Sequence, residues 1–581
     1  MKSIEITFPK LNHYWLDSGL LGLIVLLKEV NANIEKTVSD EGLTLKGTES
    51  DVRDVLEKVY DLLIKRYYNT STKNQKEEMG GFFYDSKKNS IERFPKKYLA
   101  GIPALLYGEN QIFEYKKGIK WANKAHHKLP KEYSDIQSIV DTFIQSTGIK
   151  PSTAVLLVDF PYEFRPKLEN ITLSSKQPKG KCFLCGCDVY GKSKEITKGT
   201  YPFITSSSGF KTFNSMGSSA EKICWKCDYI SKFIPINSFY LTIKNKKNED
   251  LFAFFPYSVS LEKMLDVYIP LQDAKYEDPN LFKNFQHPLG FEKYADGYFQ
   301  KPFEVAFAFL YTLYRKVLLH QKADEGEAIL NWEEMCNLTI SKAPLEFIVL
   351  HAKSKGQTYM GKMVWPFRDS VYFFRLIENM EKSGINIKEV MRLLIDFSQK
   401  NQENKTILRN KFCERILKKR TLLDIVEERV WDLVFPKDEK KTKPSNPSPL
   451  VDFLFKYEKI IEKEVTNMTD EERDVAVSLG KTVGLCIAKK ENDTRSKNEI
   501  IRDFKRLKGD LIKLKKVRKL ADLLSEIERL QIRYDFSLHI PDGLFEGKLR
   551  EDNFKEFKGY CSVAAMQAYS NARYYALKEG N

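Results

Sequence analysis

Apolar residues recur along this chain with two different periods, and the changes of period mark out its elements. In residues 47–68, GTESDVRDVLEKVYDLLIKRYY, Val52, Val55, Leu56, Val59, Leu62 and Leu63 fall at helical spacing. This predicts an amphipathic helix, with Ser50 as its N-cap and acidic residues in the first turn. Before it, Ile4–Phe8 reads as a strand and Ser18–Val30 as a buried helix. After it, FFYDSKKNSIERF reads as two strands joined by a turn at Lys87–Asn89, residues 135–146 as a helix and AVLLVDF (154–160) as a buried strand. SFYLTIKNKKNEDLFAFFPY has the form of a hairpin closed by a Lys/Asn-rich turn. From about 303 to 435 the pattern reads as helical, on stretches such as FEVAFAFLYTLYRKVLLH and TLLDIVEERVWDLVF.

Residues 436–449 hold four prolines among polar and charged residues, which continue neither a helix nor a central strand. They read as a linker. Beyond them the segments 450–466, 469–490, 496–528 and 552–579 are helical in pattern. The expected architecture is therefore α+β. Residues 1–180 and 231–435 form a mixed body, 181–230 a cysteine-bearing insertion, 436–449 the linker and 450–581 an all-α bundle that needs no core from upstream.

Length and composition agree with several packed units. The chain has 581 residues, 42% of them hydrophobic and 13% aromatic, enough for more than one buried core. The apolar run Leu20–Leu27 is too short to span a bilayer, and Asp17 stands where a secretory signal would carry positive charge. A cytoplasmic location without a membrane partner is the expectation. The formal net charge of +15 favours a polyanion, nucleic acid before other partners.

The chain has nine cysteines, and four of them form two Cys-x-x-Cys pairs: Cys182 with Cys185, and Cys224 with Cys227. Two intervening residues let both sulfurs of a pair turn toward one point, and Gly186 tolerates the tight turn after Cys185. Two such pairs complete a tetrahedral four-cysteine site for Zn²⁺. No histidine falls between 128 and 286, so the zinc is expected to be structural rather than catalytic. Cys187 is either an alternative to Cys185 or a spare buried thiol. Between the pairs, residues 199–222 are rich in small polar residues, with three glycines, Lys211 and Asn214. They suit either a nucleic-acid contact loop or a simple connection between the knuckles.

Other candidates lose their chemistry on inspection. Gly480-Lys481-Thr482 mimics the end of a phosphate-binding loop, but Val475 stands where the motif needs glycine and the surroundings read as helix interior. The seven histidines are scattered, and no nucleophile elbow or acidic trio is recognisable, so a binding protein is expected rather than an enzyme. Residues 495–519 carry eleven basic and three acidic side chains. Ile500, Phe504, Leu507, Leu511 and Leu514 form an apolar stripe there. Lys505, Arg506, Lys508, Lys513, Lys515 and Lys516 lie mostly off it, available to a phosphate backbone.

The paired cysteines, the N-terminal LDSGLLGL and the basic helical C-terminus together resemble the CRISPR-associated CXXC–CXXC proteins, large subunits of type I-B Cascade surveillance complexes. The resemblance runs in order along essentially the whole chain, and the cysteine pairs are its most specific element. It implies a non-catalytic subunit that recognises the protospacer-adjacent motif in duplex DNA, helps nucleate the R-loop and supports recruitment of the helicase–nuclease. The implied partners are crRNA, target DNA and the backbone, handle-binding and small subunits. It also implies that the C-terminal bundle is made separately as a small subunit in related systems. On physical grounds the candidate nucleic-acid contacts are Asn69, Thr70, Thr72, Lys87, Lys88, Asn89, Ser207, Gly209, Lys211 and Asn214, with Lys505, Arg506, Lys513 and Lys516 from the tail. The rival readings are a stand-alone zinc-containing nucleic-acid-binding regulatory or RNA-processing protein, and a hydrolase whose active site has no familiar motif.

Overall fold

The computed structural model describes residues 3–68, 79–95, 111–113, 118–149, 154–159, 164–166, 171–173, 177–190, 194–196, 222–244, 249–262, 264–265, 289, 299–315, 346–355, 358–436, 445–461, 468–489, 508–534 and 547–579. They are mixed α and β, with a four-cysteine cluster and a helical C-terminal region. The chain divides into two compact units, Met1–Lys283 with Arg315–Ser370 and Asn284–Tyr314 with Val371–Asn581.

In the first unit, strand β1 (Ser3–Pro9) leads into helix α1 (Tyr14–Lys28), whose residues from Trp15 to Leu27 are all buried. Asp17 fixes the entry to α1. Its carboxylate accepts from the backbone amides of Leu11 (2.8 Å) and His13 (2.9 Å) and pairs with buried Lys10 at 3.7 Å. Strands β2 (Glu35–Ser39) and β3 (Gly42–Thr48) complete a sheet ordered β1-β3-β2. Helix α2 (Glu49–Leu63) follows, buried along the expected stripe, but its N-cap is Thr48 rather than Ser50. The Thr48 hydroxyl oxygen accepts from Asp51 N–H at 3.2 Å. The register of β3 carries extended backbone through Thr48, so the cap falls two residues earlier than composition suggested.

Strands β4 (Met79–Asp85) and β5 (Ser90–Pro95) form the expected hairpin, and β6 (Gln111–Phe113), β7 (Gly118–Lys120) and helix α3 (Ser134–Thr147) follow. Strand β8 (Val155–Val158) pairs parallel with β4 and antiparallel with β7, giving the order β5-β4-β8-β7. Strand β9 (Phe164–Pro166) pairs with β6.

The expected hairpin of β12 (Phe239–Lys244) and β13 (Glu249–Tyr257) forms as well, following the short strands β10 (Lys194–Glu195) and β11 (Lys222–Ile223) and helix α4 (Trp225–Ser231). The helical reading of 303–435 needs correction at its centre. Strands β14 (Glu346–Lys355) and β15 (Thr358–Phe367) extend that hairpin to a four-stranded sheet, β12-β13-β14-β15. The run Phe347–Leu350 is buried on both faces, and a short continuous apolar run has no period to separate strand from helix. Leu251, Ala253, Phe255, Ile348, Leu350 and Ala352 present one face of this sheet to Trp15 and Leu16 of α1.

The second unit is helical among the described residues. Helix α5 (Pro302–Leu313) is followed by α6 (Ser370–Lys382), α7 (Ile387–Leu393), α8 (Ile407–Leu417) and α9 (Leu423–Val434). Then come α10 (Ser448–Ile460), α11 (Asp470–Lys489), helical turns at 508–516, α12 (Leu520–Tyr534) and α13 (Phe554–Glu579). The single helix expected over 496–528 is interrupted at 517–519, and 496–507 lies outside the described residues. Arg409 of α8 and Glu304 of α5 form a fully buried ion pair at 2.9 Å, and the same carboxylate accepts from the amides of Gln300 and Lys301.

This division departs from the expected boundary at 436–449. The helices of 371–434 pack with those beyond the prolines: α9 lies against α10 and α13, and α7 against α10. Buried Glu458 of α10 accepts from Leu422 N–H and Thr421 O–H, each at 2.8 Å. The Tyr457 hydroxyl donates to Arg420 O at 2.9 Å, and the rings of Phe412 and Phe453 meet at 5.4 Å. A proline-rich segment ends a helix, but it does not stop the helices on either side from sharing a core.

Gly480 and Gly484, which sit in the decoy phosphate-loop sequence, are where α11 and α13 approach each other. A Cβ on Gly480 would stand 2.2 Å from Cys561 O, and one on Gly484 2.3 Å from Ala565 O. Both obstacles are backbone, so a side chain has to push the helices apart. Gly480→Val is expected to cost about 3 kcal/mol, at the upper end of core overpacking. A urea titration of the variant checks this, and an unchanged midpoint contradicts the tight approach.

Candidate metal centre

The first cysteine pair sits on a knuckle built from local backbone bonds. Gly186 N–H donates to Cys182 O (2.9 Å) and Cys182 N–H to Cys187 O (2.7 Å), and Gly186 adopts φ +71°, a conformation that glycine alone takes without strain. An ion pair between Lys181 and Asp188 at 2.8 Å closes the base of the turn. The second pair is helical. Cys224 is the N-cap residue of α4 and Cys227 lies in its first turn, so three residues of helix turn both sulfurs to one side.

The two halves are joined by β10 and β11, which pair Lys194 with Ile223 and Glu195 with Lys222, and by Phe183 N–H donating to Lys222 O at 3.0 Å. Val189, Ile196 and Ile223 pack with Cys182, Cys224 and Cys227 into a small buried core.

Within this frame the four sulfurs converge. Cys182 Sγ lies 3.8 Å from Cys227 Sγ, Cys185 Sγ lies 3.6 Å from Cys224 Sγ, and all four fall within 4.8 Å of one another. Four thiolates at a Zn–S distance of ~2.3 Å around a tetrahedral ion stand about 3.8 Å apart. A disulfide needs sulfurs at ~2.05 Å. The donor set therefore fits a soft divalent ion, consistent with zinc.

Electrostatics point the same way. Hydrogen bonding among the thiols, from Cys185 first, pushes Cys182 far down, while proton sharing with Cys182 pushes Cys185 and Cys227 up. Four thiols this close cannot all ionise without a cation to neutralise them. Cys187 stands outside the set of four, partly exposed, with burial and the neighbouring Cys185 raising its thiol.

The centre is anchored on the N-terminal elements of the same unit. Cβ atoms on Gly19 and Gly22 of α1 would stand 2.4 Å from Ile230 O and 2.6 Å from Phe233 O. The glycines of SGLLGL thus form the seat for α4 and the turn after it. Tyr229 O–H donates to Leu56 O at 2.7 Å, Lys226 Nζ donates to Thr7 O at 2.9 Å, and Trp225 meets Phe8 edge-on at 5.8 Å. Asp228 and Lys232, both buried, pair at 3.1 Å. Sequence reasoning missed these anchors. The signal for them was the Gly-x-x-Gly spacing inside an otherwise large-residue helix.

The candidate nucleic-acid contacts divide by location. Asn69, Thr70, Thr72, Ser207, Gly209, Lys211, Asn214, Lys505 and Arg506 lie outside the described residues. Lys87, Lys88 and Asn89 form the β4–β5 turn. Asp85 accepts from the amides of Lys87 (3.0 Å) and Lys88 (3.1 Å), and Asn89, at φ +48°, accepts from Tyr84 O–H at 2.7 Å. All three are exposed, and Lys88 also lies 3.5 Å from Glu92. The structure therefore gives this trio hairpin work besides any ligand contact. In the tail, Lys513 and Lys516 are exposed beside the buried Leu511, Leu514 and Val517. Lys508 and Lys515 instead lie over the rings of Phe435 (5.5 Å) and Trp431 (5.2 Å), which ties them to the fold. No described helix is long and apolar enough to cross a membrane. In comparisons with known proteins no family model matches the chain, and no curated protein matches it.

Proposed function

We propose that this chain is a non-catalytic nucleic-acid-binding subunit, in the role its resemblance to the CXXC–CXXC proteins implies. It is the large subunit of a CRISPR type I Cascade complex, recognising the protospacer-adjacent motif in duplex DNA, helping to nucleate the R-loop and supporting recruitment of the helicase–nuclease. The observation that carries the reading is the closed four-cysteine cluster, seated on α1 and α2, whose paired strands β10 and β11 come before and after the polar residues 199–221 in the sequence. A structural ion with four protein ligands keeps no open position for a substrate, so the centre acts as a clamp that joins its two cysteine pairs. The net charge of +15 supplies the attraction to a polyanion. As in other RNA-guided effectors, guide pairing then reads the sequence while the protein reads the short motif.

The test is reconstitution with guide RNA and the backbone and handle-binding subunits. Duplex target carrying the adjacent motif is expected to bind the assembled complex and not the isolated chain. Sequence-specific duplex binding by the isolated chain without guide RNA would instead establish the stand-alone regulatory or RNA-processing reading. Metal-dependent strand cleavage by the pure chain would establish the hydrolase. For the tail, replacing Lys505, Arg506, Lys513 and Lys516 with Ala is expected to weaken binding of all duplex sequences. It should also lower the slope of log affinity against log salt by about 0.9 for each phosphate that the tail no longer neutralises. An unchanged slope removes the tail from the interface.

A further inference from the structure

Two adjoining cavities of about 570 and 450 Å³ open between the α6–α7 turn, the start of α10, α11 and α13 of the second unit. They share Asn446, Ser448 and Asp452, so they form one cleft. Its volume is in the range of small-ligand sites, and its lining has three chemically distinct parts.

The floor is polar and fixed in place. Gln567, 6% exposed, donates its amide to Asp452 Oδ1 at 2.8 Å, and Ser448 O–H donates to Asn571 Oδ1 at 2.8 Å. Donors and acceptors thus lie side by side, tied to one another by these two bonds. One wall is apolar, formed by half-buried Phe455 and Ile385, and the rim carries Lys456 and Lys481. Lys459 also lines the cleft but is drawn off to Asp474 at 3.0 Å.

We propose that this cleft binds one nucleotide, with its base against Phe455, the base edge on the Asp452–Gln567 floor and its phosphate at Lys456 and Lys481. A bare phosphate would leave the aromatic wall unused. An acidic peptide would leave the aromatic wall unused, and an apolar molecule would leave the floor unpaired. A nucleotide uses all three parts, since a π-face, a hydrogen-bonding edge and an anion lie on one small molecule. The same chemistry is offered by a free mononucleotide and by one residue of a single strand, and the two are separable by experiment. The proposal does not depend on the Cascade reading.

The test uses the full chain with AMP, dTMP and inorganic phosphate in calorimetric titrations, and a labelled fifteen-residue oligo-dT in anisotropy. AMP or dTMP is expected to bind more tightly than phosphate. Phe455→Ala is expected to weaken binding about tenfold, the scale of one base–aromatic stack, and Phe455→Trp to retain it. Lys481→Ala is expected to weaken binding and flatten its salt dependence. Thermal melts of each variant show that the fold is kept, and Phe455→Trp preserves the wall if the alanine variant does not fold. Loss of oligo-dT binding in the same variants assigns the nucleotide to a strand, whereas nucleotide binding with oligo-dT unaffected assigns it to the free pool. The proposal is overturned if phosphate binds as tightly as either nucleotide. It is equally overturned if the variants leave binding within twofold of the parent, or if neither a nucleotide nor oligo-dT binds.

Discussion

Cys224→Ser is expected to release the metal, taking zinc from about one ion per chain to near none by elemental analysis. Serine keeps the volume and loses the thiolate, so the remaining three sulfurs are left crowded without the charge that held them. Structural zinc contributes an apparent ~10–16 kcal/mol in small zinc-finger peptides. An ion bound here would hold α4 against Gly19 and Gly22, so its loss should spread into the N-terminal elements. The expected readouts are a large fall in Tm and protease cutting within 177–231 at concentrations that leave the parent intact. Cys187→Ser, outside the set of four, should keep its zinc and its Tm. Metal-free protein with unchanged stability and unchanged nucleic-acid binding would remove the clamp from the mechanism.

The second large effect concerns the C-terminal helices made alone. Residues 446–581 are expected to show no cooperative unfolding transition, and the whole helical unit, residues 284–314 linked to 371–581, to recover one. The short fragment lacks Phe412, Val426, Val430 and Phe435, all of them buried in the whole chain. It also lacks the partners of Tyr457 and Glu458 in the 415–422 segment. Burial is worth ~1.5–3 kcal/mol for a large apolar side chain, so the four missing side chains amount to about 6–12 kcal/mol. Whole-domain stability is typically only ~5–15 kcal/mol. A sharp urea transition in the 446–581 fragment would show that this account of the shared core is wrong. It would also restore the physical basis for a separately made small subunit starting near the prolines. A product that starts upstream of α5 remains compatible with the shared core.

Much of the local structure was legible in the chain. The β4–β5 and β12–β13 hairpins, α2 and α3 follow from periodicity bounded by turn residues, and the four-cysteine cluster follows from two local spacings. In each case the determining contacts lie within a few residues of one another. Cys182 and Cys185 meet through one turn, and Cys224 and Cys227 through the first turn of one helix, so the sequence carries each geometry directly. The Gly480 segment also reads as helix interior from its sequence, although nothing in its neighbourhood tells what its glycines are for.

Features that depend on a distant partner were settled by the fold. Phe347–Leu350 could be strand or helix until β13 supplied a paired edge. Thr48 became the cap because β1 holds β3 extended to its end. Gly19, Gly22, Gly480 and Gly484 acquired their roles only when Ile230, Phe233, Cys561 and Ala565 came within contact distance. The unit boundary moved away from the prolines because Glu458 and Tyr457 satisfy groups some 35–40 residues upstream. The physical reason is common to all of these. Backbone preference and turn chemistry act over one or two turns and are written in adjacent residues, whereas burial is a property of pairs. Local spacing was enough to dictate that four cysteines would form two metal-ready knuckles. Only the folded chain brought them within 4.8 Å of one another and seated α4, which carries one pair, on a helix whose glycines leave room for Ile230 and Phe233.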